Sequence, residues 1–344
     1  MTGRTQGLDD RLQGEEAIVA LLAPLAEGAP GAFDFRDDCA LLTPEPGTEL
    51  VLKTDPIAEG VHFLPGEAPA DIAWKALAVN VSDLAAKGAR PVGYLMALSF
   101  PEAPSRRWLS AFADGLGEAQ ARFGCRLLGG DTDRRPGPLT VSIAAIGAVP
   151  QGQMVRRGTA KAGDVLFVSG SIGDAGLGLA LSRDPALVEA WGLSPAEAEA
   201  LVRRHRRPEP RLALAPVLRQ HASAAMDISD GLAKDLDRML RASGVAGRLS
   251  AADVPLSTAA RKFVADAPDT PGRDRRLAGL ITAGDDYEVL AAVPASHAAD
   301  FRAAAATAGV PVAQVGALTP GSGLHIDAPD GHPLALDRAG WDHF

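Results

Sequence analysis

The run Met226-Asp227-Ile228-Ser229-Asp230-Gly231-Leu232-Ala233-Lys234-Asp235-Leu236 changes character halfway. Ala222–Ala225 ahead of it is small and apolar in the main, as a buried strand would be. Beyond it Leu232, Leu236, Met239 and Leu240 recur at helical spacing, so Asp227 to Gly231 reads as a strand-to-helix turn. Two carboxylates, a hydroxyl and a glycine crowd that helix start. Such a turn suits a metal-bound phosphate, and the same residues serve equally as a helix cap.

Working outward, acids of the same kind recur. Asp131 follows the apolar run Cys125-Arg126-Leu127-Leu128-Gly129-Gly130, and Asp55 follows Glu49-Leu50-Val51-Leu52-Lys53-Thr54. Asp83 sits in Val79-Asn80-Val81-Ser82-Asp83-Leu84, Asp37 and Asp38 precede Cys39-Ala40-Leu41-Leu42, and Asp285 and Asp286 follow Ile281-Thr282-Ala283-Gly284. These read as six acidic turns at strand or helix ends, either converging on one site or serving as scattered caps. Clustered carboxylates repel, and a site drawing on Asp38, Asp55, Asp83, Asp131, Asp227 and Asp230 needs a divalent cation to stay charged. Oxygen ligands without a Cys or His cluster point to magnesium before manganese or calcium. An EF-hand is excluded, because the twelfth residues counted from Asp131 and Asp227 are Ser142 and Arg238 instead of Glu.

The chain has 344 residues, 47% of them hydrophobic, which suits two domains of ordinary size. A net charge of −9 argues against a nucleic-acid-binding face. The one dense basic run, Arg203, Arg204, Arg206 and Arg207 around His205, reads as a solvated helix end ahead of Pro208. Two cysteines without paired spacing leave no disulfide framework or zinc site. Residues 1–12 lack the basic start and apolar core of a signal peptide, and no apolar run reaches the roughly 20 residues of a membrane span. The expectation is a cytoplasmic protein with neither nucleic acid nor membrane as partner.

Helices are expected over residues 12–26, 71–87, 105–123 and 298–308, with helical pattern over 194–218 broken at Pro208–Pro210. Strands are expected at 50–54, 94–100, 125–128, 140–149, 165–169 and 312–318, at 33–42 as a pair broken by the acids, and at 280–293 as one strand bent at Asp285-Asp286. The glycine-rich Gly170–Gly178 matches neither the dinucleotide nor the P-loop pattern and reads as close packing at a strand-to-helix turn. Mixed strands and helices in both halves give an α+β chain of two α/β-layered domains, with the boundary near residue 150: 1–150 and 151–344.

These residues together resemble the thiamine-monophosphate kinases, within the aminoimidazole-ribonucleotide synthetase-like ATP-dependent enzymes. The resemblance rests on Asp37-Asp38-Cys39-Ala40-Leu41-Leu42, Thr54-Asp55, Glu59-Gly60-Val61-His62-Phe63, Asn80-Val81-Ser82-Asp83-Leu84-Ala85-Ala86 and Gly129-Gly130-Asp131-Thr132. It extends to Asp227-Ile228-Ser229-Asp230-Gly231-Leu232, Asp286-Tyr287-Glu288 and Trp341-Asp342-His343-Phe344. It implies transfer of the γ-phosphoryl group of ATP to thiamine monophosphate, and a homodimer whose N-terminal domains pair. By motif position, Asp38, Thr54, Asp55, Asp83, Asp131, Asp227 and Asp230 would bind magnesium. Gly130, Asp131, Arg157 and Ser229 would lie near the ATP phosphates, with Arg156 the alternative to Arg157. His62, Asp285 and Trp341 would face thiamine monophosphate. No general base is implied, because a phosphate monoester is already mostly a dianion near neutral pH. The chain departs from the family pattern in having Arg36 for a usual Gly, the shorter Asp285 for Glu, and Lys87, expected at the surface, for Met. Cys39 is expected to be buried.

Overall fold

The structure is a computed structural model in which residues 10–12, 14–337, 340 and 341 are described. The chain packs as two compact units. One comprises the residues up to Pro44, Leu52–Asn80 and Val92–Ile146; the other comprises Glu45–Val51, Val81–Pro91 and the chain from Gly147 onward.

Among the described residues the α-helices and strands begin with α1 (Glu15–Leu22), β1 (Thr48–Ala58), α2 (Pro69–Ala86), β2 (Arg90–Phe100), α3 (Arg106–Phe123), β3 (Arg126–Arg134) and β4 (Thr140–Pro150). The strands form one sheet in the order β1-β4-β2-β3. β2 and β3 run parallel, as a crossover through α3 requires. Ser105 caps α3 by accepting the Trp108 amide at 3.1 Å, and Gly124, in the left-handed region, ends it. α3 lies against both α2 and the sheet. Trp74 meets Phe123 edge-on at 5.0 Å, and Trp108 meets Phe100 at 5.7 Å. Burial alternates along β2 and β4, so the sheet has a core face and an open face. Leu52 and Leu95 stand on the open face, 73% and 42% exposed.

Two expectations fail here. Residues 33–42 form no strand pair: Pro30–Phe35 is a 3-10 turn, and Phe33, Asp34 and Phe35 all have φ between 51° and 56°, which a strand does not permit. Asp55 and Asp131 lie inside β1 and β3, not at their ends, Asp131 opposite Ala97 of β2. β3 continues through Gly129-Gly130 because Gly130 passes so near β2 that a side chain there would sit 1.8 Å from the Met96 carbonyl oxygen.

The remaining elements are β5 (Asp164–Ser169), α4 (Asp174–Arg183), α5 (Leu187–Ala190), α6 (Pro195–Arg206), α7 (Ala215–His221), β6 (Ala224–Ile228), α8 (Leu232–Ser243), β7 (Ala246–Ser250), α9 (Thr258–Ala265), α10 (Thr270–Ile281), β8 (Glu288–Pro294), α11 (Ala298–Thr307), β9 (Val312–Thr319) and β10 (Gly323–Asp327). Six strands lie in the order β10-β7-β9-β5-β8-β6, antiparallel except for β10 with β7. Helices cover both faces. Leu166, Met226 and Ile228 pack with Leu236, Met239 and Leu240 of α8, while Phe167 and Ala225 pack with Leu218 of α7 and Phe301 of α11. The expected strand over 280–293 is a helix end followed by a strand. α10 runs to Ile281 and β8 starts at Glu288, because Asp285 and Tyr287 between them adopt φ of 70° and 50°. Among the described residues no helix is long and apolar enough to cross a membrane.

α4 and α6 touch at backbone distance, since a side chain on Gly178 would lie 2.0 Å from the Leu201 carbonyl oxygen. The end of α6 is locked to β8 by buried charge. Glu288 is fully buried; it accepts from Arg211 Nε at 2.6 Å, from Arg204 Nη2 at 2.7 Å and from Ser169 Oγ at 2.6 Å. Gly170, with φ of 58°, leaves room for this carboxylate, which would otherwise lie 2.0 Å from a side-chain carbon. The basic run is therefore not a solvated helix end at Arg204 and His205, since His205 is 1% exposed and Arg204 points into the charge cluster.

Burial alone would raise the Glu288 pKa, but hydrogen bonding and charge from Arg211, then Arg204 and Ser169, hold it below the ordinary value of 4.5. The folded state thus binds this proton less tightly than the unfolded chain. Its stabilising share is full above the ordinary value and is lost as pH falls through the lower folded one. Arg211→Met should cost about 3–5 kcal/mol in urea denaturation near neutral pH, by leaving a buried carboxylate short of its counter-charge. The gap to the parent protein should narrow as acid protonates Glu288; equal midpoints near neutral pH would refute the role given to this pair.

Candidate active site

β6 delivers Asp227 to the side of its sheet opposite Met226 and Ile228, because successive strand residues face opposite ways. The residue is 5% exposed. Its carboxyl is pushed well above the ordinary carboxylate range by burial and then by the Asp83 charge, with Ser82 and then Lys87 partly offsetting them. Lys87 is not at the surface: half-buried, it donates from Nζ to the Ala225 carbonyl at 2.9 Å. Asp83 and Lys87 are four residues apart at the end of α2, so both reach the same strand.

The strand then turns through Ser229 and Asp230 into α8. Gly231, with φ of 110°, passes against Thr282, where a side chain would lie 2.8 Å from its carbonyl carbon. The fully buried Asp235 carboxylate folds back from α8 and accepts the amides of Ser229 and Asp230, both at 2.9 Å. Arg238 joins Asp235 at 2.8 Å and Asp230 at 2.6 Å, and Lys234 stands 3.6 Å from Asp230. Asp227 is thus buried beside a like charge, whereas Asp230 already has two cations.

The turn's outward carbonyls are used as well. Ile228 accepts the Tyr287 amide and Ser229 the Asp285 amide, each at 2.8 Å, and Asp230 accepts the Trp341 amide at 2.9 Å. A carboxylate and an indole distant in sequence are thereby fixed to one turn. Asp285 and Tyr287 hold left-handed backbone at a cost of about 1 kcal/mol each, a strain found where geometry is imposed by function. The Asp285 carboxylate lies 3.3 Å from His205 Nδ1 and accepts from the Tyr287 hydroxyl at 3.3 Å. Trp341 is 42% exposed; its successors Asp342, His343 and Phe344 lie outside the described residues.

In the first unit a cleft of about 800 Å³ gathers Asp37, Asp38, Thr54, Gly130, Asp131 and Ser142 beside apolar Ala32 and Phe35. Cys39 also lines it, exposed instead of buried. Asp131 accepts the Thr132 amide at 2.9 Å. Asp55 is placed by Asn80, which accepts its amide at 2.8 Å and donates to its carbonyl at 3.2 Å, and its carboxylate pairs with Lys53 at 3.0 Å. His62 Nδ1 accepts the Ala58 amide at 3.1 Å, so the neutral ring carries its proton on Nε2. Arg156 and Arg157 are both exposed. The Arg156 carbonyl accepts the Ala225 amide at 3.4 Å, and the Arg157 carbonyl accepts the Ser243 hydroxyl at 3.3 Å.

Asp38, Thr54, Gly130 and Asp131 therefore share one cleft, Asp83 acts on Asp227, and Asp285 and Trp341 share the Ser229–Asp230 turn. No three His, Cys, Asp or Glu side chains among the described residues are grouped to hold a metal ion. From sequence, Asp235, His205 and Lys87 have no place in the site. Asp235 alone carried a signal, four residues past Gly231 where a side chain folds back on its own helix start.

Residues 36–149 match the AIR synthase related protein N-terminal domain and residues 161–328 the corresponding C-terminal domain. The thiamine-monophosphate kinase of Caulobacter vibrioides is 42% identical over 95% of this chain and 89% of its own. The crystal structure of the Stenotrophomonas maltophilia K279a thiamine-monophosphate kinase is 38% identical, with a TM-score of 0.77 over 94% of this chain and 93% of that one. A structure of AaThiL complexed with AMPPCP and TMP is 29% identical, with a TM-score of 0.74 over 100% of this chain and 99% of that one. With both domains matched and the similarity running along nearly the full length, the chain belongs to the thiamine-monophosphate kinase family of AIR synthase related proteins.

Proposed function

We propose that this protein transfers the γ-phosphoryl group of ATP to thiamine monophosphate, giving thiamine diphosphate and ADP. The observation that carries this reading is the Ser229–Asp230 turn. Its carbonyls fix the backbones that carry a carboxylate and an indole, the two groups suited to a thiazolium cation, to one turn. Kinship with AaThiL, whose structure holds AMPPCP and TMP, supports the same pair of ligands here.

The acceptor phosphate is mostly a dianion near neutral pH, so its oxygen attacks without a general base. The new bond to Pγ forms as the bond from Pγ to the β–γ bridging oxygen breaks, and ADP departs with that electron pair. The protein's task is to hold the two phosphates in line. Trp341 and Asp285 hold the thiazolium end, with His62 presenting Nε2–H to the substrate. Gly130, Asp131, Ser229 and Arg157 lie along the ATP phosphates, with Arg156 the alternative to Arg157.

Magnesium fits the donor set on one observation above all: Asp227 is buried against the Asp83 charge and needs a cation to ionise. Asp38, Thr54, Asp55, Asp83, Asp131, Asp227 and Asp230 would hold it, Asp230 least readily because Arg238 and Lys234 already engage it. Bound magnesium would neutralise phosphate charge during transfer.

The open apolar sheet face, with Leu52 and Leu95, is where two N-terminal domains pair into a homodimer.

ADP release from ATP and magnesium should depend on thiamine monophosphate and yield thiamine diphosphate; turnover with another acceptor alone would move the substrate assignment. Asp227→Asn should lower kcat at least about 100-fold through loss of charge at the transferring phosphoryl. Its melting temperature in chelator should stay level or rise, because a carboxylate buried against Asp83 is removed. Near-parental turnover would refute the metal role. A Leu52→Asp, Leu95→Asp double variant should sediment as a monomer where the parent sediments as a dimer; an unchanged mass would place the interface elsewhere.

A further inference from the structure

His205 belongs to no motif in the sequence, yet it is one of the most completely buried polar residues in its unit. It occupies the last turn of α6, a helix whose start is fixed by a reciprocal cap between Ser194 and Glu197. It lies four residues past Leu201, whose carbonyl meets Gly178 of α4, so the packing that seats α6 also sets the height of the imidazole. An apolar side chain would fill this place without the desolvation cost of a ring nitrogen. What the imidazole adds is a polar atom, Nδ1, 3.3 Å from Asp285 Oδ2.

The backbone of Asp285 is held independently. Its amide donates to Ser229, the Tyr287 amide donates to Ile228, and Arg204, next to His205, donates to the Asp286 carbonyl at 3.2 Å. The side chain is oriented separately, by its own contacts. Tyr287 donates to Oδ1 and His205 flanks Oδ2, so each carboxylate oxygen has its own neighbour. The side chain is 23% exposed, so part of the carboxylate is open to a ligand.

We propose that His205 is a positioning residue for acceptor recognition, orienting the Asp285 carboxylate toward the organic cation of the substrate. The proposal rests on the reading of Asp285 as a substrate contact. A carboxylate as short as Asp reaches a ligand along few directions, and a swing toward His205 or away from it changes that reach. His205 itself touches no reacting atom.

The test compares His205→Leu, His205→Asn, Asp285→Ala and the double variant His205→Leu, Asp285→Ala in steady-state kinetics, with thermal melts to confirm folding. His205→Leu should raise KM for thiamine monophosphate about tenfold, the loss of one close polar contact to a carboxylate, while KM for ATP stays within about twofold. His205→Asn, which keeps a polar atom near the Nδ1 position, should recover most of that rise even if it melts no higher than the leucine variant. Asp285→Ala should raise the same KM, and adding His205→Leu to it should change little further. A rise in KM for His205→Leu that persists in full in the Asp285→Ala background would overturn the proposal, as would a KM that moves with Asp285→Ala but not with His205→Leu. In both cases Asp285 keeps its role as a substrate contact. An unchanged KM for Asp285→Ala would instead remove that role, and this proposal with it.

Discussion

The two hydrogen bonds by which the buried Asp235 carboxylate holds the amides of Ser229 and Asp230 are the constraint on which the site depends. Burial raises the pKa of Asp235, while the Asp230 amide and the Arg238 guanidinium work against that rise. With its amides directed inward, the turn presents the carbonyls of Ile228, Ser229 and Asp230 outward, and Tyr287, Asp285 and Trp341 attach to them. The approach is close enough that Gly284 and Gly340 have no room for side chains, which would lie 2.6 Å from the Ser229 oxygen and 2.4 Å from the Asp230 oxygen. One helix start thus collects segments more than fifty residues apart in the chain.

The second unit handles buried acid in two ways, and the contrast separates scaffold from chemistry. Glu288 is met by two arginines and a serine and is held below its ordinary pKa, so it locks α6 to the sheet. Asp227 is buried beside Asp83 with Lys87 as a partial offset, and its pKa is driven well up. A buried acid short of compensating positive charge is the kind of group that functional sites hold at a perturbed pKa. Lys87 supplies part of that charge from within the chain, at a position whose neighbours in sequence do not hint at it.

The first unit solves a different problem. Its acids stand on strands, and a strand exposes them on alternate residues without any need for a turn. Asp131 follows two glycines, the second passing close to Met96 of β2, and it lines the cleft that Asp38, Thr54 and Gly130 share. Asp55 and Asp131 read from sequence as turn residues, since an acid after an apolar run looks the same at a strand's middle as at its end. The stretch 33–42 failed for a related reason: left-handed backbone at Phe33, Asp34 and Phe35 leaves no mark in letters that otherwise favour strand.

The sequence by itself determined the periodicity of the helices, the mixed two-domain class, the turn at Asp227–Gly231 and the family, because each is written in local spacing or in motifs of contiguous residues. It also named Asp285 and Trp341, but not that one turn holds both. Tertiary structure decided what depends on residues far apart: that Val81–Pro91 packs with the second unit, that Lys87 reaches Ala225, that Arg204 and His205 turn inward, and that Asp227 is buried while Asp230 is ion-paired. The physical reason is common to all four. Whether a charged side chain is solvated, paired or left short of a partner is set by neighbours that folding brings within a few ångströms, and no local pattern encodes those neighbours.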